Sequence, residues 1–350
     1  MNKIRIGIIG CGVIAPGHLA SYRKLADVEL AWACDLVEAK ARQMAAEYNI
    51  ARITTDFRKV LQDKSVTGVS ICTDHASHAP LTVAALKAGK HVLCEKALSS
   101  TTAKMNAMMA AHAKHPELVF AGVFQHRFDP VARYVKRLVD EGTFGTILTA
   151  GIQVRCLRTN AYYQGDAWRG TWAGEGGSVL INQAIHFIDA IAWIMGGVES
   201  VCGTCGNLTH QGVIETEDTA TAALRFKSGA LGTIEATCSS HFDWETTLSI
   251  HGVAGSVEVR NNKPVKIVFG DKALMERVQA EMTAIIDKPA LNVGKSYYGT
   301  GHPAQIADFV DAIRSHRLPF IPAASARHTV EIVLAIYKSH RTGRRVVVKN

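Results

Sequence analysis

The sequence predicts an α/β domain with a doubly wound parallel sheet, followed by an α+β domain with one large, mainly antiparallel sheet. Its 350 residues are too many for one compact core and suit two domains of ordinary size. Up to residue 124, short apolar segments alternate with helical patterns, which indicates βαβ units. From about Gly145, strand-like segments follow one another directly. We therefore predict domains at 1–124 and 125–350.

The first domain is predicted from short apolar strands, which are typical of a parallel sheet buried on both faces. The strands are expected at 4–9, 29–34, 68–72, 91–94 and 119–123. The helices between them are expected at 15–25, 37–48, 57–62, 78–88 and 102–114.

The second domain is predicted from successive strands, which imply an antiparallel or mixed sheet. The run Lys227-Ser-Gly229 is the expected turn of a hairpin. The strands are expected at 219–226, 230–238, 245–251, 256–260 and 265–269, with a last one at 346–349. Two helices, at 304–314 and 327–339, precede that last strand, and we expect these C-terminal helices to pack back toward the first domain.

Composition and charge exclude several classes of protein. Hydrophobic residues make up 47% of the chain and charged residues 20%, which excludes a disordered or fibrous protein. The apolar stretch 178–198 contains Asn182, His186 and Asp189, whereas a membrane span needs about 20 mostly apolar residues. The formal net charge is +8, but the basic residues are scattered, so we interpret them as a solvated basic surface and expect no nucleic-acid partner. The alternative is that this charge attracts anionic small substrates.

The cysteine pattern favours a reducing compartment, and we expect a cytoplasmic protein. Cys202 and Cys205 form a Cys-x-x-Cys pair with no second pair at zinc-site spacing, so we predict a structural role and no metal. The N-terminal apolar run is short and interrupted by glycine, so we expect mature protein rather than a signal peptide.

A glycine-rich turn after the first predicted strand indicates a dinucleotide site. Gly10 permits the tight turn, and Gly12 leaves room for the pyrophosphate. Val13 and Ile14 follow at the start of the helix, whose N-terminus faces the phosphate charge. An ordinary βα turn is the alternative.

Asp35 decides in favour of the cofactor site, because it stands where the second strand ends. An acidic side chain there accepts hydrogen bonds from the adenosine ribose hydroxyls and repels a 2′-phosphate. The sequence therefore predicts NAD as cofactor, with NADP less favoured.

Several further motifs recur in order along the whole chain. They are Val-Ser-Ile-Cys-Thr at 69–73 with His78, Ala-Gly-Lys-His-Val-Leu-Cys-Glu-Lys at 88–96, and Gly-Gly-Ser-Val-Leu-Ile-Asn at 176–182 with His186 and Asp189. Together they resemble the glucose–fructose oxidoreductase / inositol dehydrogenase (Gfo/Idh/MocA) family. The resemblance implies a Rossmann domain, an open-faced sheet carrying the substrate pocket, and a homodimer or homotetramer. It also implies reversible hydride transfer between the nicotinamide and a secondary hydroxyl of a sugar, cyclitol or sugar nucleotide.

By the same resemblance, Glu95 is expected to meet the nicotinamide ribose, and Lys96 to reach both that ribose and the substrate hydroxyl. Thr73 and His78 complete the predicted cofactor site. Removing hydride from a carbinol carbon also requires a proton acceptor for its hydroxyl. His186 titrates near neutral pH and is the natural candidate, while Lys96 can stabilise an alkoxide or pass a proton.

Asn182 is the third predicted catalytic residue, and its spacing from His186 puts both on one side of a helix. The alternative is that His186 is a structural histidine facing Asp189 or Asn182. The family commonly has Asp where this chain has Asn182. Asn at this position resembles the nucleotide-sugar branch of the family. An amide, unlike a carboxylate, accepts no proton. The base role then falls to His186 or Lys96.

Other departures from the family concern the residues around these motifs. The family commonly has proline, often after a cis peptide, where this chain has Ala97. A non-proline cis bond costs about 3 kcal/mol, so we expect a different local turn around Lys96. Asp74 stands where many members have proline, and Ser178 replaces a third glycine.

Substrate contacts are predicted from aromatic and arginine residues of the second domain. Tyr162-Tyr163, Trp168 and Arg169 resemble a substrate-domain segment, since aromatic faces suit sugar C–H surfaces and arginine suits phosphate or carboxylate. Arg127, in the sequence Gln-His-Arg, also resembles a position of the family and is predicted to contact the substrate. The alternative for each is packing or a surface ion pair. For the whole protein, the alternatives are a non-catalytic nicotinamide-dependent sensor and an NADP-linked reductase.

Overall fold

The computed structural model of the chain describes residues 3–288 and 299–349. These residues form two compact units, the first made of 3–125 and 299–327 and the second of 126–288 and 328–349. The last division between the units, after residue 327, falls inside the last helix (Ala323–Thr342). Each unit is described in turn.

The first unit is a six-stranded parallel sheet with helices, so the predicted doubly wound α/β fold is confirmed. Its strands are β1 (Ile4–Ile9), β2 (Val28–Cys34), β3 (Arg52–Thr54), β4 (Gly68–Ile71), β5 (His91–Cys94) and β6 (Phe120–Gly122). Its helices are α1 (Ala15–Tyr22), α2 (Glu38–Tyr48), α3 (Phe57–Gln62), α4 (His75–Lys87), α5 (Thr102–Ala113) and, later in the chain, α10 (His302–Ser315).

The strand order, β3-β2-β1-β4-β5-β6, places the reversal of winding between β1 and β4. Ligands of such sheets bind outside the carboxyl ends of the strands at this point. The sequence did not predict β3, which is only three residues long. Helix α4 begins at His75 rather than at 78, because the Asp74 carboxylate caps it by accepting the Ser77 N–H at 3.1 Å.

Helix α10 packs in the core of the first unit. Its Ile306, Phe309 and Val310 are buried in one cluster with Leu19 and Tyr22 of α1. The division into units therefore groups 299–327 with the first unit, whereas the predicted bounds placed them in the second domain. As bounds of folding domains, 1–124 and 125–350 stay a prediction.

The second unit is built on an eight-stranded sheet ordered β13-β12-β11-β7-β10-β9-β8-β14. Its strands are β7 (Ile147–Leu157), β8 (Val198–Gly206), β9 (Thr219–Phe226), β10 (Leu231–Thr237), β11 (Ser239–Gly252), β12 (Gly255–Arg260), β13 (Lys263–Phe269) and β14 (Val346–Val347). Its helical elements are a 3-10 turn (Gln125–Phe128), α6 (Pro130–Asp140), α7 (Asn160–Gln164), a π-helical turn (Val179–Gln183), α8 (Ile185–Ile194), α9 (Lys272–Ile286) and the shared α11 (Ala323–Thr342).

All neighbours in this sheet pair antiparallel except β7 and β10, so the predicted mainly antiparallel sheet is confirmed. Along β9 and β10, buried and exposed residues alternate, so one face of the sheet packs and the other is open. On the open face, Arg155 bonds Glu235 at 2.8 Å and approaches Glu245 at 3.5 Å. Across the described residues of both units, no helix has the length and apolar character to cross a membrane.

Candidate cofactor and substrate sites

The turn after β1 has the backbone geometry that a dinucleotide site requires. Gly10 has φ +94°, and a Cβ there would lie 2.6 Å from the carbonyl carbon and oxygen of Cys72, so only glycine fits. A Cβ on Gly12 would meet no atom within 4 Å, so the space beside this residue is open. Val13 is 64% exposed next to it. The turn, including Ile14, leads into the N-terminus of α1.

The Asp35 carboxylate ties the end of β2 to this turn. Its Oδ2 accepts the Cys11 N–H at 2.8 Å, and its Oδ1 accepts the Val37 N–H at 2.8 Å. The carboxylate is partly exposed, and Leu36 and Val37 beside it are exposed as well. The acid that the sequence selected therefore stands next to the glycine turn at the carboxyl edge of the sheet.

His78 joins the segments that follow β4 and β5. Its Nδ1 lies 2.6 Å from the Ala97 carbonyl oxygen, and its Nε2 lies 3.2 Å from that of Thr73. The ring is fully buried, and this burial lowers its pKa. The side chain of His78 thus holds the backbone of the predicted site.

The peptide bond between Lys96 and Ala97 is cis. The expectation that Ala97 gives a different turn from the proline of the family is therefore wrong. The Ala97 carbonyl is held by His78, a contact that the sequence pattern does not reveal.

Glu95 is a buried carboxylate surrounded by cationic or ionisable groups. Its Oε1 lies 2.9 Å from His18 Nε2, and its Oε2 accepts the Lys96 N–H at 3.1 Å. Burial acts to raise the pKa of Glu95, but the hydrogen bond with His18 and the nearby cationic groups lower it to about 2. Glu95 is therefore an anion at neutral pH.

His302, at the start of α10, completes a cluster with His18 and Glu95. One ligand atom of each lies within 4.8 Å of the others, so the three could hold a divalent cation. The hydrogen bonds of His18 to Glu95 and to Ser70 Oγ, the latter at 3.2 Å, already account for the positions of His18 and Glu95.

In the second unit, Asn182 and His186 do not share one regular α-helix. Asn182 lies in the π-helical turn, and His186 lies at the start of α8 beyond it. The prediction of an i, i+4 pair on one helix is therefore wrong. The turn is closed by the Ala184 N–H, which donates to the Val179 carbonyl oxygen five residues earlier at 2.8 Å. At its start, the buried carboxylate of Glu217 accepts the backbone N–H groups of Ser178 at 3.1 Å and Leu180 at 3.0 Å.

Glu217 is a residue that sequence reasoning missed. Tyr337 Oη donates to its Oε1 at 2.8 Å, and burial raises the pKa of Glu217 to about 7. Glu175 was also missed. It is fully buried, its Oε2 accepts the Gly170 N–H at 2.6 Å, and its Oε1 accepts from Asn182 Nδ2. The only local signal for Glu175 was its place directly before the Gly-Gly motif.

His186 is partly buried and packs edge to face against His126, with ring centroids 5.3 Å apart. His126 Nδ1 lies 2.5 Å from Asp129 Oδ2. These contacts hold the start of α8 next to the start of α6.

Arg127 and Asp189 form a buried bidentate ion pair. Arg127 Nε and Nη2 donate to the two carboxylate oxygens of Asp189 at 2.7 and 2.6 Å. Thr329 Oγ1 also donates to Asp189, at 2.6 Å. The alternative expected for Arg127 was a surface ion pair, but the ion pair found is buried, and it anchors α8 in the unit.

The two adjacent tyrosines of α7 have different surroundings. Tyr163 is only 3% exposed, and its Oη bonds Ser178 Oγ at 2.7 Å. Tyr162 is partly exposed and accepts from Arg169 Nη1 at 2.5 Å. The Arg169 guanidinium carbon also lies 4.4 Å from the Tyr162 ring centroid and 4.6 Å from that of Trp168. These three side chains form one aromatic–cation cluster.

The fold and these sites define a dinucleotide-binding oxidoreductase. Residues 4–123 match the model of an oxidoreductase family with an NAD-binding Rossmann fold, and residues 132–258 match the model of the GFO/IDH/MocA C-terminal domain. The chain belongs to the GFO/IDH/MocA family, as the motifs predicted. Its cofactor is NAD, and the glycine turn with Asp35 beside it fits that dinucleotide.

Individual relatives are dehydrogenases and reductases of sugars and cyclitols. The myo-inositol 2-dehydrogenase of Thermotoga maritima is 29% identical over 272 residues, 77% of this chain and 79% of that protein. The 1,5-anhydro-D-fructose reductase of Ensifer adhaerens is 24% identical over 97% of both chains. The WlbA dehydrogenase of Chromobacterium violaceum, solved in complex with NADH and UDP-GlcNAcA, has a TM-score of 0.89 and 28% identity over 100% of this chain and 97% of its own.

We expect the protein to bind NAD more tightly than NADP, because the Asp35 carboxylate repels a 2′-phosphate. Replacing Asp35→Ser removes that charge and should narrow the ratio of the two dissociation constants by about tenfold or more. Calorimetric titration of both cofactors measures the ratio. The control is Glu38→Gln, which removes an exposed carboxylate of α2 and should leave the ratio unchanged. Equal or tighter binding of NADP by the unmodified protein contradicts this assignment of Asp35.

Proposed function

We propose that this protein is an NAD-dependent dehydrogenase that transfers hydride reversibly between the cofactor and a secondary hydroxyl of a sugar, cyclitol or sugar nucleotide. The observation that carries the proposal is the pair Glu95-Lys96 at the carboxyl end of β5, in the same unit as the glycine turn and Asp35. The anionic Glu95 and cationic Lys96 supply the two charges that such chemistry uses beside a nicotinamide ribose and a developing alkoxide.

Among these substrates, we propose a sugar nucleotide first and a cyclitol second. Support for the first comes from the likeness to the WlbA dehydrogenase over the full chain, and from Asn182 in place of the usual Asp. The net charge of +8 also favours an anionic substrate. Support for the second comes from the likeness to myo-inositol 2-dehydrogenase.

In this proposal the first unit holds and orients the cofactor, which accepts or delivers the hydride when bound. The turn at Gly10 and Gly12 and the N-terminus of α1 hold the pyrophosphate, and Asp35 binds the adenosine ribose. Thr73 and His78 shape the adjoining segment. Glu95 accepts hydrogen bonds from ribose hydroxyls, because its low pKa keeps it an acceptor on both oxygens.

The proton of the substrate hydroxyl is assigned to His186, and Lys96 stabilises the charge that develops on the oxygen. Neutral imidazole accepts a proton on a ring nitrogen, which is what oxidation of the hydroxyl requires. Asn182 offers its amide oxygen as a hydrogen-bond acceptor for a hydroxyl.

Sugar contacts are assigned to Tyr162, Trp168 and Arg169 rather than to Tyr163, whose ring and hydroxyl are buried. Arg127 is assigned a positioning role, since its guanidinium holds Asp189 in the same unit. An aromatic ring backed by a guanidinium offers both an apolar face and a positive charge to a glycosyl phosphate or carboxylate.

We also propose a cytoplasmic homodimer or homotetramer. All eight cysteines are free, which suits a reducing compartment. The large apolar side chains of Leu157, Leu231 and Phe242 are exposed on strands or strand ends of the second unit, as expected of a face that another copy covers. Light scattering coupled to gel filtration tests this, and a monomer at micromolar concentration contradicts it.

A substrate panel tests the dehydrogenase proposal. Polyols, inositols and nucleotide sugars are each offered with NAD and with NADP, and the absorbance of reduced nicotinamide is followed. Turnover with at least one class and a preference for NAD support the proposal. Tight NAD binding without turnover of any member contradicts it and favours the non-catalytic sensor.

We expect Lys96→Ala to lower kcat by roughly 100-fold or more, because the alkoxide loses its stabilising cation. The dissociation constant for NAD should stay within a few-fold, since the charge acts mainly on the substrate oxygen. Steady-state kinetics on the best panel substrate and calorimetry measure the two quantities. Lys104→Ala, on the exposed side of α5, is the control. Near-normal kcat in Lys96→Ala assigns this lysine a structural role instead.

The pH profile of kcat/KM for alcohol oxidation should fall on the acidic side, where a histidine gains its proton, because imidazolium accepts none. In His186→Ala this limb should disappear together with most of the activity. Profiles of the two proteins on one substrate provide the measurement. An acidic limb that persists unchanged in His186→Ala assigns the titration to another group.

A further inference from the structure

The amide of Asn182 is held from one side by a buried carboxylate. Asn182 Nδ2 donates to Glu175 Oε1 and lies 3.5 Å from Tyr162 Oη. The other oxygen of Glu175 accepts the backbone N–H of Gly170 at 2.6 Å. Glu175 is therefore fixed at both oxygens while it is fully buried.

This contact fixes the orientation of the Asn182 amide, with its NH2 group toward Glu175 and its oxygen on the other side. A carboxylate accepts hydrogen bonds and an amide oxygen donates none, so the NH2 end must face Glu175. Rotating the amide by half a turn would bring two acceptors together next to a buried charge. The Oδ1 end is consequently directed away from Glu175 and is kept as an acceptor.

The pair therefore joins a carboxyl group at 175 and an amide at 182, seven residues apart in the chain. By the resemblance to the family, a carboxyl group at 182 is the usual arrangement.

We propose that Glu175 is the positioning residue for Asn182, and that these two side chains act as an acid–amide pair whose members function only together. The consequence for the dehydrogenase is that Glu175 orients the Asn182 oxygen toward a substrate hydroxyl; this rests on the proposed function. The pairing itself is a property of the folded second unit and is tested without substrate.

The change Asn182→Asp alone puts two carboxylates in contact. They cannot both ionise easily, so the pKa of the pair rises above that of either acid in the unfolded chain. A carboxyl group whose pKa is raised on folding destabilises the protein increasingly as pH rises through that range. The Asn182→Asp protein should therefore lose stability between pH 5 and pH 8 relative to the unmodified protein.

The double change Glu175→Gln with Asn182→Asp exchanges acid and amide. The contact again joins one carboxylate and one amide, so the extra pH dependence should disappear. Asn106→Asp, at an exposed position of α5, makes the same chemical change without a neighbouring buried acid and serves as control.

Other ionisable groups around Glu175 do not distort this comparison. Tyr163 of α7 and Tyr337 of α11 have raised pKa values, with burial as the main cause and the Glu175 charge contributing. Arg169, which bonds Tyr162, stays charged throughout. Burial raises the pKa of Glu217 to about 7, and this residue is present in all four proteins, so the unmodified protein shows its effect on the pH dependence of stability.

The first measurement is the melting temperature of the four proteins at pH 5 and at pH 8, without substrate. We expect Asn182→Asp to melt about 5 °C lower than the unmodified protein at pH 8, with a much smaller deficit at pH 5. The double variant and Asn106→Asp should show no such pH-dependent deficit. If Asn182→Asp follows the unmodified protein at both pH values, or if the double variant keeps the deficit, the pair does not exist.

The second measurement is kinetic and uses the best panel substrate. Glu175→Gln and Asn182→Asp should each lower kcat on the order of 10- to 100-fold, and the double variant should recover most of that loss. NAD affinity, measured by calorimetry, should stay within a few-fold in all of them. A thermal rescue without a kinetic rescue would make the pair purely structural and overturn the positioning role. If no panel member is turned over, the proposed function fails, while the thermal measurement still decides on the pair.

Discussion

A carboxylate removed from water must receive hydrogen-bond donors or a counter-charge, and this requirement explains how both units hold their functional side chains. In the first unit, Glu95 is kept anionic by His18 and by the cations near it. In the second unit, Glu175 and Glu217 accept hydrogen bonds from backbone N–H groups before and within the π-helical turn. Each buried acid thereby fixes the backbone of its own site.

The buried carboxyl groups of the two units differ in their pKa values and therefore in their roles. Glu95 has a low pKa, so it presents a permanent charge. Glu217 has a pKa raised to about 7 by burial, and its donors, Tyr337 among them, fasten the chain just before Asn182. These contacts lie at the start of the π-helical turn. Replacing any one of these acids therefore removes hydrogen bonds from the backbone of its own site.

The sequence predicted those parts of the site that depend on neighbouring residues in the chain. The turn at Gly10 and Gly12 and the acid at Asp35 follow from local backbone geometry and from the ends of two parallel strands, and the structure has them in place. Helix α6 also carried a clear signal that was overlooked: Val131, Tyr134, Val135 and Leu138 recur at helical spacing and are buried.

The remaining features depend on contacts between distant parts of the chain. Spacing predicted one α-helix through Asn182 and His186, but the structure has a π-helical turn before α8, and Glu217, nearly 40 residues later, holds the start of that turn. Arg127 pairs with Asp189, 62 residues away. Tyr162 and Tyr163 are adjacent on a short helix, and only the packing of Ser178 and Cys238 against Tyr163 shows which of them is buried. No local pattern contains this information.

The central claim is that this chain moves hydride between a carbinol carbon and NAD, and isotope transfer tests it most directly. A nucleotide sugar or inositol that is turned over is prepared with deuterium on the carbon to be oxidised, and the reduced nicotinamide is analysed by mass spectrometry. The account predicts that the deuterium is recovered in the reduced cofactor, with one label for each product molecule formed. Product formation with the label released to water, or with no label in the cofactor, would contradict it.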